Sequence, residues 1–104
     1  MAWFNIIKDI ENATNKAEIW AHNDLSIHRD AIKFIEGEVR GTYNTVYDVT
    51  EYLAEFLSKR MAQSDGFMRD LTEGKPSGGL VDVDWRQVAE SFSEEISEAM
   101  EAYR

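Results

Sequence analysis

Two histidines stand six residues apart in "HNDLSIHRD", His22 and His28, with Asp24 and Asp30 close by, and they are the side chains of this chain best suited to metal or acid–base chemistry. A metal site on one helix needs ligands at i and i+4, and zinc ribbons need short Cys/His spacings. A separation of six meets neither if the segment is helical. His28 also falls on an apolar stripe, which reads as a boundary histidine satisfied by one hydrogen bond. No metal ligand set and no cofactor are expected.

Nucleophilic catalysis needs an activated Ser, Thr or Lys beside a base, and none of the seven serines stands in a Gly-x-Ser-x-Gly elbow. The stretch "EGKPSGG" has the glycines, lysine and serine of a phosphate loop in the wrong order, because Lys75 precedes Pro76 and the glycines follow. Carboxylate pairs could serve glycoside chemistry, yet 20 acids among 104 residues make such pairs unavoidable. A non-enzymatic protein is expected.

The acids themselves carry the sharper signal. The formal charge is −9, and residues 76–104 hold 7 acids against 2 bases, more than half of the excess. Within "EEISEAME" and just before it, Glu90, Glu94, Glu98 and Glu101 follow one another at 4, 4 and 3, with Glu95 beside them. On a helix these rise along one edge about 6 Å per i,i+4 step. Each like-charge pair costs roughly 0.2–0.5 kcal/mol, and no lysine four residues on offsets it, Arg86 and Arg104 standing only at the two ends. A solvated, solubilising face is the plain reading. The functional reading is a surface for a basic partner, an edge that imitates phosphates and occupies the groove of a nucleic-acid-binding protein. Its contact set is Asp82, Asp84, Glu90, Glu94, Glu95, Glu98 and Glu101, with Trp85 and Tyr103 as aromatic anchors.

Helices must position these residues. Trp3, Ile7, Ile10, Thr14 and Ala17 share one stripe, with Ile6, Ala13 and Trp20 beside it, although "ENATNKAE" leaves open whether the segment is one helix or two. A second helix starts near "HND", with Asn23 or Asp24 as N-cap, and ends at Gly41; Leu25, His28, Ile32, Ile35 and Val39 form its stripe, widened by Ile27, Ala31 and Phe34. The third runs from Thr42 towards Met61 or Leu71, with Gly66 either ending it or tolerated inside it. It has Val46, Leu53, Leu57 and Met61 on one side and Val49, Tyr52 and Phe56 on another. That second face offers the alternative function, an apolar interface for a homodimer or an accessory subunit. After a connector at 73–84, Asp84 and Gln87 form part of a capping box. Trp85, Val88, Phe92, Ile96, Ala99 and Tyr103 then recur at helical spacing. "AEIWAH" and "LVDVDW" could form short strands, but neither has an evident partner. The expected fold is an all-α bundle of about four helices in one domain.

Cysteine is absent, which fits a reducing cytosol. The N-terminal "MAWFNIIKDI" has no basic leader, and Lys8 is offset by Asp9 and Glu11, so core packing is preferred to a membrane anchor. A cytoplasmic protein is expected, with neither membrane nor direct nucleic-acid binding. In size, charge and the segment "VDVDWRQVAESFSEEISEAMEAY", the chain resembles in type the small acidic proteins of bacteriophages and mobile elements. Among these are inhibitors of restriction and CRISPR nucleases, some of them DNA mimics. The resemblance is one of class and carries over no residue. It implies a stoichiometric protein-binding inhibitor, with mimicry confined to one edge because the first 75 residues are only mildly acidic.

Overall fold

The computed structural model describes the backbone of residues 2–41, 44–73 and 80–103, and within these the surroundings of side chains from residue 12 onward except Val81. Among these residues there are six α-helices, one 3-10 turn and no strand. The helices are α1 (Ala2–Asn23), α2 (Leu25–Gly41), α3 (Val46–Ala62), α4 (Asp65–Thr72), α5 (Trp85–Glu90) and α6 (Ser93–Tyr103). The all-α expectation holds, and the number rises from about four to six because two expected helices are each broken once. "AEIWAH" lies within α1 and "LVDVDW" spans a 3-10 turn and the start of α5, so neither is a strand.

Helix α1 is a single element through "ENATNKAE". Its inward face there is Ala13, Ala17 and Ala21, with Thr14 beside them, all at most 7% exposed. Small side chains at i+4 steps let neighbouring helices approach closely, and α1 lies against α4, α5 and the 3-10 turn. Lys16 Nζ donates to the Asp70 carbonyl (2.8 Å) and Trp20 Nε1 to Asp70 Oδ2 (2.8 Å), fixing α4 to α1. The upstream apolar side chains, Trp3 to Ile10, lie outside the described surroundings.

Asp24 separates α1 from α2. It is the N-cap, its Oδ1 accepting from Ile27 N (3.0 Å), while its own N–H still donates to Trp20 O. The buried stripe of α2 is Ile27, Ala31, Ile35 and Val39, which keeps Ile35 and Val39 of the expected stripe and takes Ile27 and Ala31 in place of His28 and Ile32. Leu25 is 77% exposed, and Ile32 and Phe34 are half-buried. Arg60 ties α3 to α2 through Asp30 Oδ2 (2.7 Å) and Ser26 Oγ (2.9 Å). That guanidinium bond holds the Asp30 carboxyl below its ordinary value.

Helix α3 begins with a complete capping box: Asp48 N donates to Thr45 Oγ1 and Thr45 N to Asp48 Oδ2. It stops at Gln63, and Ser64 caps α4, accepting from Phe67 N. Gly66 is thus inside α4 and ends nothing. Its role is steric, since a Cβ there would lie 2.8 Å from Trp20 Cη2.

The connector divides. Residues 74–79 lie outside the described residues, whereas Leu80–Asp82 form the 3-10 turn and Val83 is buried at 7% exposure. Asp84 then caps α5, its Oδ1 accepting from Gln87 N (3.1 Å). The returning half of the box is absent: Asp84 N donates to Thr14 Oγ1 (2.9 Å), and Gln87 Nε2 reaches Glu18 Oε1 (3.3 Å). The final helix breaks at Ser91 and Phe92 into α5 and α6, yet Val88, Phe92, Ile96 and Ala99 all stay buried. The break keeps the helical sense closely enough to leave the stripe facing the core. No helix among the described residues is long and apolar enough to cross a membrane.

Candidate functional site

The acidic edge survives in part. Glu94, Glu98 and Glu101 are exposed on α6 and make no ion pair among the described residues. Glu90 belongs to α5, and Arg86 stands 3.3 Å from its Oε1 as an i,i+4 pair. Arg86 also pairs with Glu51 of α3 and covers the Tyr47 ring at 4.6 Å. The edge is therefore compensated at its start and bare along α6.

The other members of the contact set have further duties. Asp84 is exposed but engaged as the cap of α5. Asp82 is half-buried in the 3-10 turn. Trp85 is half-buried, donates Nε1–H to Leu80 O (3.3 Å) and meets Phe67 edge-on at 6.3 Å, so much of its ring serves packing. Tyr103 is 42% exposed with the Arg40 guanidinium 4.1 Å over its ring. Between α2 and α6 runs a shallow groove lined by Glu36, Glu95, Glu98 and Tyr103.

The alternative interface loses one of its three residues. Val49 is fully buried in the core, while Val46, which was expected inside, is 41% exposed. Tyr52 remains 46% exposed, and Phe56 stacks on Phe34 of α2 (centroids 4.5 Å, 17°). A groove lined by Phe34, Tyr52 and Phe56, with Glu38, Glu55 and Lys59 at its rim, is what that face offers.

The histidines come together. His22 is in the last turn of α1 and His28 in the first turn of α2, so the interruption at Asp24 folds them onto one side. Their ring centroids are 6.1 Å apart, and Phe92 lies under both, at 4.1 Å and 18° from His22 and 5.9 Å and 29° from His28. Glu95, in the first turn of α6, completes the group: one ligand-capable atom from each residue lies within 4.8 Å of the others. Glu95 as a residue is half-exposed, but its Oε2 is sealed from solvent and has no hydrogen-bond partner among the described residues. Burial, opposed by Glu95 and Glu18 and aided by His28, holds the His22 imidazole below its ordinary value.

No family model, curated protein or solved structure matches the chain. Its chemistry rests on the side chains alone. Spacing rules for a single helix set the histidines aside, because six residues place them on different faces. The Asp24 cap was the signal that they belong to two helices, for which that rule does not hold. Nothing in the sequence brings Glu95 to them, since that contact depends on how α6 packs on α2.

Proposed function

We propose that the protein is a non-enzymatic binding module that engages a basic surface of another protein through α6, in the manner of an inhibitor of a nucleic-acid-handling protein. The observation that carries this reading is the row Glu94, Glu98 and Glu101, exposed and without an ion pair among the described residues, on a helix whose opposite face is buried. Folding does not need these charges. A desolvated basic patch on a partner would relieve their mutual repulsion and gain complementary potential, which also speeds association. Glu36 and Glu98 beside the α2/α6 groove extend the negative surface towards Tyr103. The charge density is lower than that of a nucleic-acid strand: one carboxylate per about 6 Å of helix, against one phosphate per about 3.4 Å of axis. The edge thus offers a few phosphate positions and not a continuous strand, consistent with mimicry confined to one edge.

The test is capture from host lysate with the wild-type chain and with Glu94→Lys, Glu98→Lys and Glu101→Lys combined. The wild type is expected to retain a basic, nucleic-acid-binding protein that added duplex DNA or raised salt releases. The triple variant is expected to retain none while keeping its helical circular dichroism. Equal capture by both proteins ends the reading.

A second reading draws on the aromatic groove. Tyr52 exposed beside the Phe34–Phe56 stack favours an apolar contact with a second copy or a larger assembly. Light scattering should then show a dimer that Tyr52→Glu dissociates without unfolding. A monomer at every concentration removes the homodimer.

A further inference from the structure

We infer that His22, His28 and Glu95 form a binding site for a divalent transition cation of the zinc type. The site is separate from the acidic edge, and it takes Glu95 out of the set of carboxylates available to a basic partner.

Two imidazoles and one carboxylate are a donor set that Zn²⁺ accepts with three protein ligands, leaving at least one position for water. Calcium and magnesium prefer oxygen donors, so two nitrogens select against them. The ligand-capable atoms lie within 4.8 Å of one another. Tetrahedral ligands held at 2.0–2.1 Å from a zinc ion are about 3.3 Å apart, so closure requires each pair to draw in by at most ~1.5 Å.

Two features distinguish this group from a chance cluster. The first is Glu95 Oε2, a carboxylate oxygen sealed from water and unbonded among the described residues. Such an orphan is costly, and a cation between it and two imidazoles would satisfy it. The second is the orientation of His22. Its Nε2 lies 2.8 Å from Ser91 Oγ, and the hydroxyl's only hydrogen is directed at Val88 O. With that hydrogen given to Val88 O, Ser91 Oγ accepts from His22, which assigns the ring proton to Nε2 and leaves the lone pair on Nδ1. A hydrogen bond from the other ring nitrogen fixes the tautomer and raises ligand basicity, as it does in established metal sites. The buried Phe92 ring beneath both imidazoles holds them in position and excludes water from one side.

The ligands come from α1, α2 and α6, so the folded chain creates the site and the metal stabilises the folded chain in return. The experiment uses tag-free, chelator-treated full chain, with Zn²⁺ titrated by calorimetry and Co²⁺ by visible absorption. One ion per chain is expected, with the absorption bands of tetrahedral cobalt. Glu95→Gln and His28→Gln should each weaken zinc binding by at least ~10-fold and abolish the bands. Ser91→Ala should weaken it by about 10-fold through the freed tautomer. Glu94→Gln with Glu98→Gln, on the same helix but exposed, should bind as the wild type does. In case a variant misfolds, imidazole nitrogen resonances of the wild type give an independent readout: zinc should shift His22 Nδ1 and leave Nε2 protonated. Absence of that shift, several weak ions per chain, or affinity unchanged by Glu95→Gln and His28→Gln would each overturn the site.

Discussion

The contrast between Gly66 and Gly37 shows how one missing Cβ can have opposite meanings in two helices. At Gly37 nothing lies within 4 Å of an added Cβ, whereas at Gly66 it would meet Trp20 Cη2 at 2.8 Å and Cζ3 at 3.2 Å. The Trp20 ring cannot easily withdraw, because its Nε1 is bonded to Asp70 and its edge meets Phe67. Gly37→Ala is therefore expected to stabilise the protein by up to about 1 kcal/mol through helix propensity. Gly66→Ala should destabilise it by about 1–3 kcal/mol, since overpacking outweighs the same propensity gain. Urea denaturation midpoints of the two variants check both signs. The residue scale is also where sequence reading was most limited. "SDGF" left Gly66 either as a terminator or as a tolerated glycine, and the contact that explains it comes from a tryptophan 46 residues away.

At the scale of elements, the starts of α2 and α5 were legible, whereas the start of α3, expected at Thr42 and found at Val46, and the break between α5 and α6 were not. Asp84 as a cap and a helical start near "HND" follow from local hydrogen bonding, which a short stretch of sequence contains. Asp84→Ala should cost about 0.5–2 kcal/mol by leaving the Gln87 N–H without its acceptor, measurable as a lower denaturation midpoint. The interruption at Ser91 and Phe92 carries no Gly or Pro, and the apolar spacing of 3, 4, 4, 3 runs straight through it. Periodicity could not reveal it, because the buried residues on both sides still face one core. It leaves Glu90 on α5, four residues after Arg86, and puts Glu95 in the first turn of α6, beside the histidines.

For the whole molecule the governing quantity is charge. The net −9 is a self-repulsion that the fold tolerates, and the triple reversal of Glu94, Glu98 and Glu101 to Lys would bring it to −3. Because those side chains are exposed and make no ion pair among the described residues, stability should hold while partner capture is lost, which separates a binding role from a folding role. The sequence by itself determined the all-α class, most of the apolar stripes, the caps at Asp24 and Asp84 and the C-terminal concentration of acid, since each depends on composition or on spacing within a few residues. Tertiary structure alone decided which of those acids are free. Long-range packing brought Glu51 to Arg86, sent Val49 to the core in place of Val46, and brought Glu95 against His22 and His28 across some seventy residues of chain. Local rules describe neighbours along a helix, and these contacts are made between helices, where only the packed core fixes the distance.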